Sequence, residues 1–182
     1  ILSSRYMELP TAAVDVTFVE STKSLIVMHP AIDDPQIVSL SVLNTAVSPW
    51  ERVWKRHLQC DATSMTCNSA SDLLYVSGKE GVTAIKIKKF GDRSCKLPRR
   101  KRKVNLDVGP LDDSVDCIDK GPNKTFYMLK NKQFVYKCDN EEVKQLVFTS
   151  KDYEIDRIKY HSLSNSIMLA VKHFNFLQFV PL

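Results

Sequence analysis

The residues of this 182-residue chain best suited to chemistry are four histidines, five cysteines and three adjacent pairs of acids. Acid–base catalysis by carboxylates needs two of them held across a cleft. The pairs Asp33-Asp34, Asp112-Asp113 and Glu141-Glu142 instead stand beside Pro, Ser or Asn, in turn contexts where carboxylates cap backbone and meet water. His29, His57, His161 and His173 are widely separated and fall at strand ends or on outer strands. Cys60, Cys67, Cys95, Cys117 and Cys138 form no C-x-x-C, and none stands at zinc-ligand spacing from a histidine. Gly-x-Ser-x-Gly is absent, and five glycines assemble no phosphate loop. The expectation is a protein that is not an enzyme, with no catalytic residues, no metal site and no cofactor.

Charge is unevenly placed. Between Lys86 and Lys103 ten basic residues face one acid, so this segment carries +9 of a net +5 and the remainder is −4. A duplex-binding domain spreads positive charge over a whole face to follow the phosphates. A mildly acidic body with one basic projection does not fit that pattern, so nucleic acid is not the favoured partner. The densest part is Pro98-Arg99-Arg100-Lys101-Arg102-Lys103-Val104. A short basic cluster after a proline resembles a monopartite nuclear import signal, which implies an importin or another acidic partner for Arg99, Arg100, Lys101, Arg102 and Lys103. Arg99-x-Lys101-Arg102 also matches a furin-type cleavage pattern, and a solvated loop without a role is the plainest alternative.

Trp50 and Trp54 flank Arg52, and as a strand this spacing sets all three on one face. They pack between neighbouring sheets or form a protein-binding stripe, since Trp and Arg are enriched in interface hot spots. Phe174, Phe176 and Phe179 alternate for two positions and then slip, and are assigned to the core.

Four stretches share one grammar of an alternating strand, a polar turn, a short apolar strand and a third strand. Their apolar anchors are Leu25, Leu73, Phe126 and Ile167. The first strands lie at 14–19, 64–67, 115–118 and 155–160. Third strands follow at 36–43, 81–87, 132–138 and 173–180, and fourth strands at 50–58, 103–108 and 143–149. β-Branched and aromatic runs punctuated by Asn, Asp, Ser and Pro mark strands, and helical periodicity is scarce. Four-stranded units recurring every 40 to 50 residues or so define a β-propeller.

The sequence therefore predicts one all-β, propeller-like domain over 1–182. Its four blades of about four antiparallel strands lie near 12–58, 62–108, 114–149 and 155–182, with an N-terminal strand at 4–9 and a basic loop at 86–103. The blades are either part of a seven- or eight-bladed ring or a closed four-bladed one. An irregular β-sandwich or barrel is the competing architecture. In its strand–turn–apolar-strand grammar the chain resembles degenerate WD40-type propellers over nearly its whole length, although it holds no Trp-Asp and no Gly-His dipeptide.

The function expected is a non-catalytic protein-interaction scaffold, a subunit of a nuclear multiprotein complex. Its partners would be other protein subunits, with protein contact through Trp50, Arg52 and Trp54. No apolar run approaches the roughly 20 residues that cross a bilayer, so no membrane partner is expected. An odd number of scattered cysteines suits a reducing compartment. Two alternatives stand beside this reading. One is a nucleic-acid accessory subunit using the basic loop. The other is a secreted propeller with a processed basic site, for which Asn123-Lys124-Thr125 is a glycosylation sequon. A cytoplasmic location is the remaining alternative to the nucleus.

Overall fold

The computed structural model describes residues 11–34, 37–46, 51–58, 62–68, 73–86, 102–103, 114–139, 142–174 and 176–182. Among them, fifteen strands form four separate antiparallel meanders. The first blade contains β1 (Asp15–Val19), β2 (Ser24–Pro30), β3 (Val38–Asn44) and β4 (Glu51–Leu58). The second contains β5 (Ala62–Asn68), β6 (Leu73–Gly78), β7 (Gly81–Lys86) and β8 (Arg102–Lys103). The third contains β9 (Cys117–Lys120), β10 (Thr125–Lys130), β11 (Phe134–Asp139) and β12 (Glu142–Thr149). The fourth contains β13 (Ile155–His161), β14 (Ser166–Val171) and β15 (Leu177–Pro181).

Local chemistry closes the hairpins. Lys23 adopts φ 50° after the short 3-10 turn Glu20–Thr22. Asn131 and Lys132 are successive left-handed residues (φ 50° and 53°), the backbone pattern whose twist matches flanking antiparallel strands. The Asp116 carboxylate accepts the Lys132 N–H at 2.7 Å and holds that turn. Gly81, at φ 96°, permits the two-residue connection through Lys79 and Glu80.

Each blade has two faces, because alternate residues of a strand point oppositely. Three hydrophobic clusters follow, one at each blade-to-blade joint. Ile26, Met28, Leu40 and Val42 of the first blade meet Met65, Cys67, Leu74 and Val76 of the second. Tyr75, Val82 and Ala84 of the second meet Ile118, Phe126 and Met128 of the third, with Tyr75 and Phe126 stacked at 4.5 Å. Cys117, Tyr127, Leu129 and Val135 of the third meet Ile155, Ile158, Ile167 and Leu169 of the fourth. Successive joints rather than one shared core distinguish this arrangement from a sandwich. The innermost strands β1, β5, β9 and β13 neighbour one another in that order, and β13 does not pack on β1 in the same way. The described residues form an open arc of blades.

Most expected strands lie where the pattern placed them. The fourth strand of the second blade is an exception, since its described part is Arg102–Lys103, opposite Ala84 and Thr83. The basic segment thus has strand at both ends, with Lys86 closing β7. The last strand starts at Leu177 rather than near His173, which sits in a turn at φ 63°. Phe174 and Phe176 therefore precede the strand and are 56% and 48% exposed, while Phe179 is 54% exposed. The core assignment of these phenylalanines is corrected: no neighbouring blade covers β15 among the described residues. The N-terminal strand expected at 4–9 lies outside the described residues.

Candidate interaction surface

Polar side chains on the innermost strands latch each blade to the next. Asp15 of β1 accepts the Met65 N–H of β5 through Oδ2 at 2.7 Å, and its Oδ1 takes the Val16 N–H at 2.8 Å. Ser64 Oγ of β5 donates to the Ile118 carbonyl at 3.3 Å and receives the Ile118 N–H at 3.4 Å. Asp119 of β9 accepts the Tyr160 N–H of β13 at 2.7 Å and pairs with Lys159 at 3.1 Å. At all three joints the earlier blade supplies the side-chain acceptor and the later blade supplies a backbone N–H. Such a bond satisfies a group on the free edge of the innermost strand, where no ladder partner exists. A cavity of about 260 Å³ opens along these strands, lined among others by Asp15, Ser64, Cys117, Arg157 and Leu177.

The two ends of the arc are unlike. On the fourth blade, the face turned away from the third carries two rows across its strands. They read Arg157, Ala170, Leu177 and Lys159, Met168, Phe179. Leu177 is 59% exposed. On the first blade, Val14, Val16 and Phe18 are exposed on the face turned away from the second, while Val27 and Leu43 beside them are buried. Exposed contiguous apolar side chains of this kind mark interaction sites on soluble domains.

The residues singled out in the sequence fall as follows. Arg52 is exposed on β4. Trp54 lies on the same strand, but a register shift interrupts the ladder between them: Arg52 stands opposite Leu43 and Trp54 opposite Val42. The simple alternation behind a Trp–Arg stripe is broken there. Trp50, Arg99, Arg100 and Lys101 lie outside the described residues, and Arg102 and Lys103 form β8.

The histidines and cysteines occupy structural positions. His29 is fully buried, with Nδ1 2.9 Å from the Pro30 carbonyl and Nε2 2.9 Å from Ser41 Oγ. A carbonyl only accepts, so Nδ1 carries the proton and Nε2 accepts from Ser41. His57 Nδ1 lies 2.9 Å from Ser39 Oγ. Cys67, Cys117 and Cys138 are buried free thiols, and burial pushes the Cys138 thiol up to about 12. Sequence reasoning missed Asp15, Ser64 and Asp119. Their signal was a polar residue recurring on the innermost strand of each apolar unit.

This arc of antiparallel blades defines a β-propeller fold of degenerate WD40 type. No family model and no curated protein matches the sequence. Solved structures do match in fold. The β-propeller domain of Cps50 (Swd1) from Myceliophteria thermophila superposes with a TM-score of 0.66 at 9% identity, covering 94% of this chain and 54% of that one. The WD40 β-propeller domain of Doa1 gives 0.54 at 12% identity, covering 98% and 55%. A chain of the COPII outer coat vertex gives 0.66 at 11% identity, covering 94% and 46%. The chain thus spans about half the length of the propellers it resembles.

Proposed function

We propose that this chain is a non-catalytic protein-interaction scaffold, a subunit of a nuclear multiprotein complex. The observation that carries the reading is the pair of exposed apolar faces at the ends of a rigid, latched arc, Leu177 and Phe179 at one end and Val14, Val16 and Phe18 at the other. Blades that pack in series hold such faces in fixed relation, and binding energy concentrates on a few large side chains in them. Similarity to a chain of a coat vertex supports protein partners as the ligand class. The basic run Arg99 to Lys103 is the import address, and Arg52 on the outer strand β4 adds a protein contact with Trp50 and Trp54.

The test is affinity capture from nuclear and cytosolic extracts at low and high salt, using the chain and a variant with Arg99 to Lys103 replaced by Ser. The scaffold reading expects stoichiometric protein partners retained by both forms at high salt, and nuclear accumulation lost only in the variant. Capture that vanishes with the basic run or with nuclease treatment overturns it in favour of nucleic acid, whose phosphate contacts weaken steeply with salt.

A further inference from the structure

We propose that the free face of the fourth blade is one half of a blade-to-blade joint whose other half is the free face of the first blade in a second copy of this chain. Two copies would join head to tail into a closed ring. The inference rests on the scaffold reading and names one partner for it.

The three joints inside the chain follow a rule. On the earlier blade, the covered face carries polar residues on the innermost strand and apolar residues on the next two. Asp15, Met28 and Leu40 make one such row, and Thr17, Ile26 and Val42 another. On the later blade the receiving face is apolar on its innermost strand as well: Met65 and Cys67 in β5, Ile118 in β9, Ile158 and Tyr160 in β13. The free face of the fourth blade has the first composition, with Arg157 and Lys159 on the innermost strand and Met168, Ala170, Leu177 and Phe179 beyond. The free face of the first blade has the second composition, with Val16 and Phe18 on its innermost strand and Leu25 and Val27 beside them. The chain therefore carries both halves of the joint it repeats internally, at opposite ends of the arc, where one copy cannot bring them together.

Reach and charge agree with this occupant. The arc spans 54% and 55% of the two chains described as propeller domains, so two arcs supply a full ring by length. A head-to-tail contact repeated twice closes on itself and leaves no free end. Arg157 is exposed and has no hydrogen-bond or ion-pair partner among the described residues. It occupies the innermost-strand position where the earlier joints place Asp15, Ser64 or Asp119. As a donor it complements the carbonyls on the free edge of β1, which pairs only with β2.

Sedimentation velocity and light scattering of the 182-residue chain test this between 1 and 50 μM or so, a range that brackets ordinary dimer affinities. The expected species is a dimer of twice 20.8 kDa that does not extend to larger assemblies with concentration. Val16→Asp and Phe179→Asp alter exposed positions, and circular dichroism confirms that each variant keeps its strand signal. Each alone should raise the dimer dissociation constant at least tenfold. Mixing the two should restore a heterodimer, because one of its two joints is then native. A monomer throughout overturns the proposal, as does an open ladder of oligomers, or a dimer indifferent to Val16→Asp. A monomer that still captures other proteins through Leu177 and Phe179 overturns only the second copy as occupant. Absence of any protein capture by chain or dimer overturns the scaffold reading itself.

Discussion

Asp119 of the third blade accepts the backbone N–H of Tyr160 in the fourth at 2.7 Å, although the two residues are 41 positions apart. The carboxylate is nearly buried, and its other oxygen meets Lys159 at 3.1 Å. The bond does for the joint what a ladder does within a sheet. It fixes the height at which one blade sits beside the next, and the stacked rings of Tyr127 and Tyr160 lie at the same joint, 5.7 Å apart.

Removing that acceptor leaves a buried N–H without a partner. Asp119→Ala is expected to cost about 1–3 kcal/mol, and each kcal/mol lowers Tm by about 2–4 °C at this size. Asp119→Asn keeps an oxygen for Tyr160 and should lose less. Lys159→Met should cost little, because Lys159 is 68% exposed and pairs at the surface. Thermal denaturation of the three variants checks the order. Equal losses for Ala and Asn would mean that charge, not the N–H bond, holds the joint.

Asp15 and Asp119 serve different joints, so their losses should add. Asp15→Ala frees the Met65 N–H in the same way. In a stack where each unit touches only its neighbours, separated sites couple weakly. Urea unfolding of the double variant should give the combined loss within about 0.5 kcal/mol. A markedly smaller combined loss would show that the blades do not hold together as a series of independent joints.

The blades were legible in the sequence because a pleated strand with one covered face alternates in composition. Runs such as Leu73-Leu74-Tyr75-Val76, covered on both faces, announce the second strand of a blade. Partners across the joints were not legible. Asp119 reads as a polar residue between Ile118 and Lys120, and only the fold brings it to Tyr160. Alternation also says which residues share a face without saying whether a neighbour covers it, and this is why Phe176 and Phe179 were assigned to the core. The bulge between Arg52 and Trp54 leaves no trace in the residue types.

Gly121 is required by space. A Cβ there would meet Thr125 Oγ1 at 2.5 Å and the Tyr127 ring at 2.8 Å. Thr125 is itself tied to the Pro122 carbonyl at 2.6 Å, so it does not yield freely. Gly121→Ala should destabilise by about 1–3 kcal/mol through overpacking. The same change in a Thr125→Ser background leaves the hydroxyl in place and should recover little. Full recovery there would point to the lost Thr methyl as the source of the clash.

Cys138 is fully buried, and burial alone drives its thiol up to about 12. The thiolate is the nucleophile, so native protein at pH 8 should not react at this position. Cys67 and Cys117 are 2% and 3% exposed and should be protected as well. Mass spectrometry after a brief iodoacetamide pulse should find all three unmodified when folded and alkylated in denaturant. Labelling of Cys138 in the folded chain would show that the third blade opens.

Glu154 stands between two lysines, 2.9 Å from Lys172 Nζ and 3.6 Å from Lys132 Nζ. The hydrogen bond from Lys172 is the main reason its carboxyl titrates below the usual range, with attraction to Lys172 next and a smaller contribution from Lys132. Lys172 is shifted upward, chiefly by its hydrogen bond to Glu154. A carboxyl lowered in the folded state lends stability above its unfolded pKa and loses it as pH falls through the folded value. A lysine raised in the folded state lends stability below its unfolded pKa and loses it as pH climbs through the folded value. The pair should therefore support the start of the fourth blade between those limits and fail at both extremes. Side-chain NMR titration should give Glu154 a midpoint below that of an ordinary glutamate. Lys172→Met should move that midpoint upward, and raised salt should do so partly, since the group is open to solvent. A midpoint indifferent to both changes would mean that the lysines do not hold the carboxylate in solution.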